Sequence, residues 1–411
     1  MTEFFNVLNP NDAILKITSN KNFPKSKTEI IDTFSAHKRI NAKNIYSPTE
    51  LPHFNRSSMD GYAIKSNDAR GVSDSSPNYV EVIEEIKMGY VPNQTLKDGQ
   101  CARIFTGGMI PNGADSVIME EDTEILNENF IEIKKSVSVG ENIIFKGEES
   151  KINNKILNKG HKIRAQDIGS LLESGITKLL VHSKLNIGVL SSGDELLHPK
   201  EELQPAKIRD INTYTISNLI KSSGNEVTNY PIMPDNYEAQ LKIAKKAFQE
   251  CDILIFSAGS SISYRDTTAK VIKNLGKPGI LVHGISVKPG KPTILGICDK
   301  KLILGLPGNP VSATMIFTNI VNPILNSMYN FTPINTYTEC ILSENISSHT
   351  GRVDYVPVKI INKDDKLYAK PIFGKSNLIN TLVFSDGYIS IPPEKRGLYK
   401  NSKVKVKKYE Q

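Results

Sequence analysis

From Leu185 to Leu325 the sequence switches repeatedly between short apolar runs and helical periodicity, and this alternation constrains the fold more than any other feature. LNIGVLSS reads as a strand, NTYTISNLIKSSG as a helix and EVTNYPIM as a strand; YEAQLKIAKKAFQE is helical, CDILIFSAG extended and TTAKVIKNLG helical. TILGIC and LILGL follow, two buried strands joined through CDKK as a hairpin, and then a long apolar helix starting near Val311. Alternating β and α units specify an open, doubly wound parallel sheet, and ligands of such sheets gather at the C-terminal ends of the strands.

Five polar loops fall at those ends. They are Ser191-Ser192-Gly193-Asp194-Glu195, Pro234-Asp235-Asn236, Ser257-Ala258-Gly259 with Asp266 opening the next helix, Lys288-Pro289-Gly290-Lys291, and Leu306-Pro307-Gly308-Asn309-Pro310. Singly, each reads as a helix-start charge, a cap or a turn. In register at one sheet edge they read as a nucleotide- or pyrophosphate-handling site. Ser/Gly turns let backbone N–H groups approach phosphate, and the lysines add point charges. Asp194, Glu195, Asp235 and Asp266 offer hard oxygens to Mg²⁺. Asn309 as N-cap and Pro310 in the first turn make the last helix a further anion-facing end. No GxxxxGK[ST] or GxGxxG stretch is present. The seven histidines lie outside these loops, except His283 near Lys288, so no serine–histidine–acid set is assigned.

The rest of the chain divides around this unit. Residues 1–24 supply a helix (PNDAILKITS, capped by Asn11 or Asp12) packing on the α/β domain, which spans 184–329. A β-rich inserted domain covers 50–148, with strands at Tyr79–Met88, Gln100–Thr106, Asp115–Met119 and Phe130–Lys134. It interrupts a discontinuous linking domain, 25–49 and 149–183, whose helix is AQDIGSLLESGI. Past Asn330 the pattern is purely β (TECILS, VDYVPVKII, LYAKPIF, GYISIP, SKVKVKK), a small sheet or barrel over 330–411. The formal charge of +7 is modest and partly local to the basic C-terminus, where the alternation in SKVKVKK reads as an edge strand with a solvated lysine face rather than as a nucleic-acid site. No apolar run approaches membrane-spanning length and no secretory leader is evident. Four widely spaced cysteines without a CxxC fit reduced residues of a cytoplasmic protein.

VKPGKP and LPGNPVSA, with SSGDEL, NRSSMDGYA, RIFTGGMIPNGADSVIM, ENIIFKGEE and GKSNLINTLVFSDGYISIP, resemble the motifs of the MoeA-type molybdopterin molybdenumtransferases, a family to which gephyrin is related. The resemblance covers essentially the whole chain. It implies a Mg²⁺-dependent enzyme that takes adenylylated molybdopterin and molybdate, cleaves the pyrophosphate bond, leaves the metal on the pterin dithiolene and releases AMP. It assigns catalysis to Asp60, Thr106, Glu195, Asp235, Asp266 and Lys288, and the metal to Glu195, Asp235 and Asp266. Ligand binding falls to Ser191, Ser192, Gly193, Asp194, Ser257, Gly259, Lys291, Pro307, Gly308, Asn309 and Pro310. It further implies a homodimer with the active site between subunits, so that Asp60 and Thr106 face the partner's α/β domain, and contact with a molybdopterin adenylyltransferase. Three places depart from the family pattern: Ile143-Ile144-Phe145 with Glu149, Gly284 before the KPGK lysine, and Ala258 in the usual Ser-Gly-Gly turn. Lys146 and Lys291 are the cations that could compensate. The alternatives are adenylylation of molybdopterin by the α/β unit alone, and a non-catalytic molybdopterin-binding or scaffold protein.

Overall fold

This computed structural model describes residues 7–258 and 262–409, with side chains placed outside 258–266. The alternating region builds one six-stranded sheet, in the spatial order Glu226–Asn229, Asn186–Ser192, Ile253–Ala258, Lys301–Pro307, Ile294–Cys298, Pro278–His283. The first four strands are parallel. The last two run antiparallel to their neighbours, so the expected parallel sheet is a mixed one. Part of this is the hairpin, where Asp299 and Lys300 both take positive φ, 44° and 65°, the twist that a two-residue turn needs. The other part is Pro278–His283, a strand that helical and strand periodicity did not single out. The helix after Ile253–Ala258 also starts earlier than TTAKVIKNLG, running Ile262–Lys273.

Period-two alternation gives the sheet a core on each face. Ile253 and Ile255 pack with Ile187, Val189, Leu302 and Leu304 beneath three helices, Pro10–Thr18, Asn212–Ser222 and Pro310–Ile316. Leu254, Phe256 and Ile303 face the opposite way, against Ala244 and Ala247 of Tyr237–Glu250 and Val271 and Ile272 of Ile262–Lys273. Each fully buried aliphatic of this set contributes about 1.5–3 kcal/mol. The Pro10–Thr18 helix is capped by Asn9, not by Asn11 or Asp12: Asn9 Oδ1 accepts the Asp12 N–H at 2.9 Å. Pro10 explains the choice, because a proline lacking an N–H is suited to the first helical position and leaves the cap to the residue before it.

A second six-stranded sheet has the order Ser116–Met119, Gly61–Ile64, Gln100–Ile104, Asn78–Ile86, Phe130–Ile133, Thr123–Ile125. At the C-terminus, Thr338–Leu342, Val353–Lys363, Lys366–Pro371, Gly387–Ile391 and Lys403–Lys408 close into a five-stranded barrel, because Val353–Lys363 pairs with both Lys366–Pro371 and Gly387–Ile391. Val287–Lys288 adds a short parallel strand to it, beside Val353–Asp354. Lys403–Lys408 is paired on both sides, so it is not the expected edge strand. Its alternation correctly put Val404 and Val406 inside and Lys403 and Lys405 in solvent. Facing is a property of the strand alone; the number of neighbours is not.

Among the described residues no helix is long and apolar enough to cross a membrane, and all four cysteines are buried and free. Thr28–Asp32 pairs with Lys178–His182, and the helix beside them, Ala165–Glu173, is started by a buried acid. Asp167 accepts from the Arg164 N–H at 2.8 Å, from the Arg164 guanidinium at 2.7 Å and from His161 Nε2 at 2.6 Å. Burial alone would raise the Asp167 carboxyl, but the Arg164 and His161 hydrogen bonds outweigh it and hold it well below the usual range. A depressed carboxyl stabilises the fold above its unfolded value and loses that contribution as pH falls. Asp167→Asn is therefore expected to cost about 2 kcal/mol at pH 7 and to flatten the stability profile below about pH 5, measured by urea unfolding across pH. An unchanged acid limb would show that Asp167 does not set it.

Candidate active site

The ends of the parallel strands and the turn after Pro278–His283 bring the five polar loops to one edge. Ser192 and Met233 form a parallel bridge, the Gly193 N–H donates to Met233 O at 3.2 Å, and the Met233 N–H donates to Ser191 O at 2.8 Å. This brings two acids into a reciprocal clamp. Asp194 N–H donates to Asp235 Oδ2 at 2.9 Å, and Asp235 N–H donates to Asp194 Oδ1 at 3.1 Å. The other oxygen of Asp235, Oδ1, is buried and has no hydrogen-bond partner among the described residues. Glu195 lies across Gly193, where an added Cβ would come within 2.6 Å of Glu195 Oε2. An unpartnered buried carboxylate oxygen is costly unless something positive meets it. Asp266 belongs to the Ile262–Lys273 helix, but its side chain and Gly259 lie outside the described residues. Among the described residues no group of three His, Cys, Asp or Glu is placed to hold a metal ion.

Ser257 and the Pro307-Gly308 turn are joined by a residue that the sequence motifs passed over. Asn212 Nδ2 donates to Ser257 Oγ at 2.9 Å and to Gly308 O at 2.7 Å. Its neighbour Thr213 donates its hydroxyl to Asp210 Oδ2 at 2.5 Å and stands 2.7 Å from Ser191 Oγ. Since the Thr213 proton is committed to Asp210, Ser191 is the donor in that contact. The first turn of Asn212–Ser222 thus ties together the first, third and fifth loops. The signal was present as DINT, but polar residues at a helix start read first as caps.

Lys288, Lys291, Pro307 and Asn309 line a cleft of about 1500 Å³ between the sheet edge and the barrel. Arg352, Lys375 and Ser376 line it from the barrel side, and His349 is the one histidine there that the loops did not suggest. Arg352 Nε donates to buried Asp354 at 2.8 Å. Lys288 and Lys291 are exposed and have no ion-pair partner among the described residues. Asn309 does not cap its helix with its side chain. Its Nδ2 donates to Ser376 Oγ at 2.8 Å, and the Val311 N–H donates to Ser376 O at 3.1 Å. One amide expected to face an anion thus faces the barrel, and the free positive charge in the cleft belongs to the lysines.

Asp60 and Thr106 lie together in the β-rich sheet. The Thr106 N–H and hydroxyl donate to Asp60 Oδ1 at 2.6 and 2.7 Å. These bonds, the backbone one first, hold the Asp60 carboxyl below its usual value. Both side chains are exposed and neither lines the cleft within this chain.

Comparison with known proteins decides the family. The profile of the MoeA N-terminal region (domain I and II) matches residues 8–175, that of the probable molybdopterin binding domain 188–327, and that of the MoeA C-terminal region (domain IV) 339–409. The chain belongs to the MoeA family of molybdopterin molybdenumtransferases. It is 32% identical over 388 residues to a putative molybdopterin biosynthesis protein of Methanocaldococcus jannaschii, covering 92% of each chain. It is 37% identical over 289 residues to a molybdopterin molybdenumtransferase of Staphylococcus epidermidis, covering 70% of this chain and 68% of that one. A crystal structure of the Pyrococcus horikoshii molybdopterin biosynthesis MoeA protein superposes with a TM-score of 0.83 at 31% identity, over 99% of this chain and 100% of that one.

Within this MoeA-family chain one of the departures acquires a local account. Gly284 is buried at a φ of 101°, in the region that L side chains rarely adopt, so a basic residue does not suit this backbone. Ile143–Ile144 pairs with Arg56–Ser57 as a short strand of its own. Lys146, a candidate compensating cation, is 3.2 Å from Glu50 and so is already paired. Lys291 keeps its charge free for the cleft. Ala258 falls where side chains are not described.

Proposed function

We propose that this enzyme inserts molybdate into adenylylated molybdopterin in a Mg²⁺-dependent reaction that breaks the pyrophosphate bond and releases AMP. The observation that carries the reading is the strand-end cluster of Asp194, Glu195 and Asp235, with one buried Asp235 oxygen lacking a partner among the described residues, on the sheet edge that also carries the cleft lysines Lys288 and Lys291.

The donor set fits Mg²⁺. That ion takes one or two carboxylates and completes its shell with water and substrate phosphates, so an open acidic site rather than a closed one is expected. Asp235 and Glu195 would hold it with Asp266, and when bound it would neutralise charge accumulating on the phosphates. Lys288 and Lys291 bind the anionic groups of the substrates from the cleft. Ser191, Ser192, Gly193, Ser257 and the Pro307–Pro310 turn form the floor on which the adenylate lies. Asp60 and Thr106 are assigned to the partner subunit's site in a homodimer, as the resemblance implies; both are exposed and so open to another chain. A cytoplasmic enzyme, receiving its adenylate by contact with a molybdopterin adenylyltransferase, completes the reading; four free buried cysteines agree with a reducing compartment.

The test supplies the purified protein with adenylylated molybdopterin, Mg²⁺ and molybdate, and follows AMP release and reconstitution of a cofactor-free molybdoenzyme. Molybdate-dependent AMP release with reconstitution is expected. Tight adenylate binding without AMP release would replace this reading with a binding protein.

A further inference from the structure

The edge of the α/β sheet holds a second unpaired acceptor besides the Asp235 oxygen. Asn212 is 8% exposed, and its Oδ1 is buried without a hydrogen-bond partner among the described residues. The orientation of the carboxamide is not arbitrary. The Gly308 carbonyl can only accept, so the nitrogen must be the atom 2.7 Å from it, and Oδ1 must be the orphan. The adjoining groups are satisfied: Thr213 with Asp210, and Ser191 with Thr213. A lone unsatisfied acceptor in an otherwise paired buried network calls for a donor from outside it.

The position suits a ligand. The Asn186–Ser192 strand continues through Asn212–Ser222 to Glu226–Asn229 on one side, while Ile253–Ala258 lies on the other. That divergence of connections is the crevice where open α/β sheets take ligands. The carboxamide is fixed by two donations, to Ser257 and to Gly308. A planar acceptor that cannot turn matches a donor fixed in the plane of a ring better than a freely rotating hydroxyl.

We propose that Asn212 Oδ1 accepts a hydrogen bond from an exocyclic amino N–H of the substrate's heterocycle and so selects an aminated ring, an inference that rests on the proposed use of adenylylated molybdopterin. Two rings of that substrate carry such a group, the pterin and the adenine. Asp235 and the lysines serve charged groups; Asn212 reads a neutral one.

The experiment is calorimetric binding to the full chain with Mg²⁺, using two ligand pairs that differ in the amino group. AMP is compared with purine riboside 5′-monophosphate, and 6-hydroxymethylpterin with 6-hydroxymethyllumazine. One pair is expected to show a preference of about tenfold for the aminated member, since a buried acceptor left unpaired is costly. That pair identifies the ring. Asn212→Ala should remove the preference, whatever it does to overall affinity, because the ratio within the pair isolates the contact. Asn212→Ser serves the same purpose should the alanine variant not fold. Equal binding within both pairs by the wild type, or a preference that survives the substitution, overturns the proposal. A wild type that binds neither AMP nor the pterin overturns the substrate assignment itself.

Discussion

Asp235→Asn is expected to lower AMP release by at least about 100-fold while leaving the fold intact. The substitution conserves size, and an asparagine Oδ1 can still accept the Asp194 N–H now held at 2.9 Å. The reciprocal bond, from Asp235 N–H to Asp194 at 3.1 Å, uses backbone and survives unchanged. What changes is the buried, unpartnered oxygen, which becomes an N–H₂ donor and turns positive density toward the place a cation would take. Turnover should fall, Mg²⁺ titration should lose its effect, and the melting temperature should move by no more than a few degrees. Undiminished, Mg²⁺-stimulated AMP release by the variant would remove Asp235 from the site. Glu195→Gln tests the neighbouring acid in the same assay.

The second large effect is structural. Gly61 follows Asp60 and lies on a strand flanked on both sides, opposite Ile104 and Met119. Its φ is 155°, and a Cβ added there would sit 2.0 Å from the Ile118 carbonyl oxygen and 3.0 Å from Glu120 N. Both contacts are backbone atoms of the neighbouring strand and turn, so nothing flexible can yield. Gly61→Ala is expected to cost about 3 kcal/mol or more, from overpacking and backbone strain together, and to displace Asp60 from Thr106. Gly71→Ala is the control. Its φ of 76° is also positive, but a Cβ meets nothing within 4 Å, so only about 1 kcal/mol should be lost. Urea unfolding with limited proteolysis of residues 50–148 distinguishes them. Equal losses at the two positions would show that close packing is not what requires glycine at Gly61.

Much of the fold was legible because local chemistry and global fold agreed. Tyr237–Glu250 matches its expected span residue for residue, with Asn236 accepting the Ala239 N–H at 3.1 Å as the cap. The CDKK hairpin forms where two apolar runs meet a two-residue turn. Four of the five loops could be placed on one edge because strand direction, once assigned, fixes which ends share it; the Lys288–Lys291 loop follows Pro278–His283, a strand not singled out. Closure of the barrel was not legible, since the alternation in SKVKVKK reports a face and not a second neighbour. Asn212 and Arg352 escaped for a related reason. Each lies in a segment with a sufficient local explanation, a helix start and a strand start, and acquires its site partners only through folding.

Lys288 occupies a position with two owners. Its chain neighbours belong to the α/β unit, yet Val287–Lys288 is hydrogen-bonded into the barrel sheet beside Val353–Asp354. Three residues on, Lys291 is anchored to the α/β unit, where its carbonyl accepts the Ile285 N–H at 2.9 Å. The spacing of the two ammonium groups therefore gauges how the barrel is seated: a tilt of one unit against the other changes the distance between two of the cleft's positive charges.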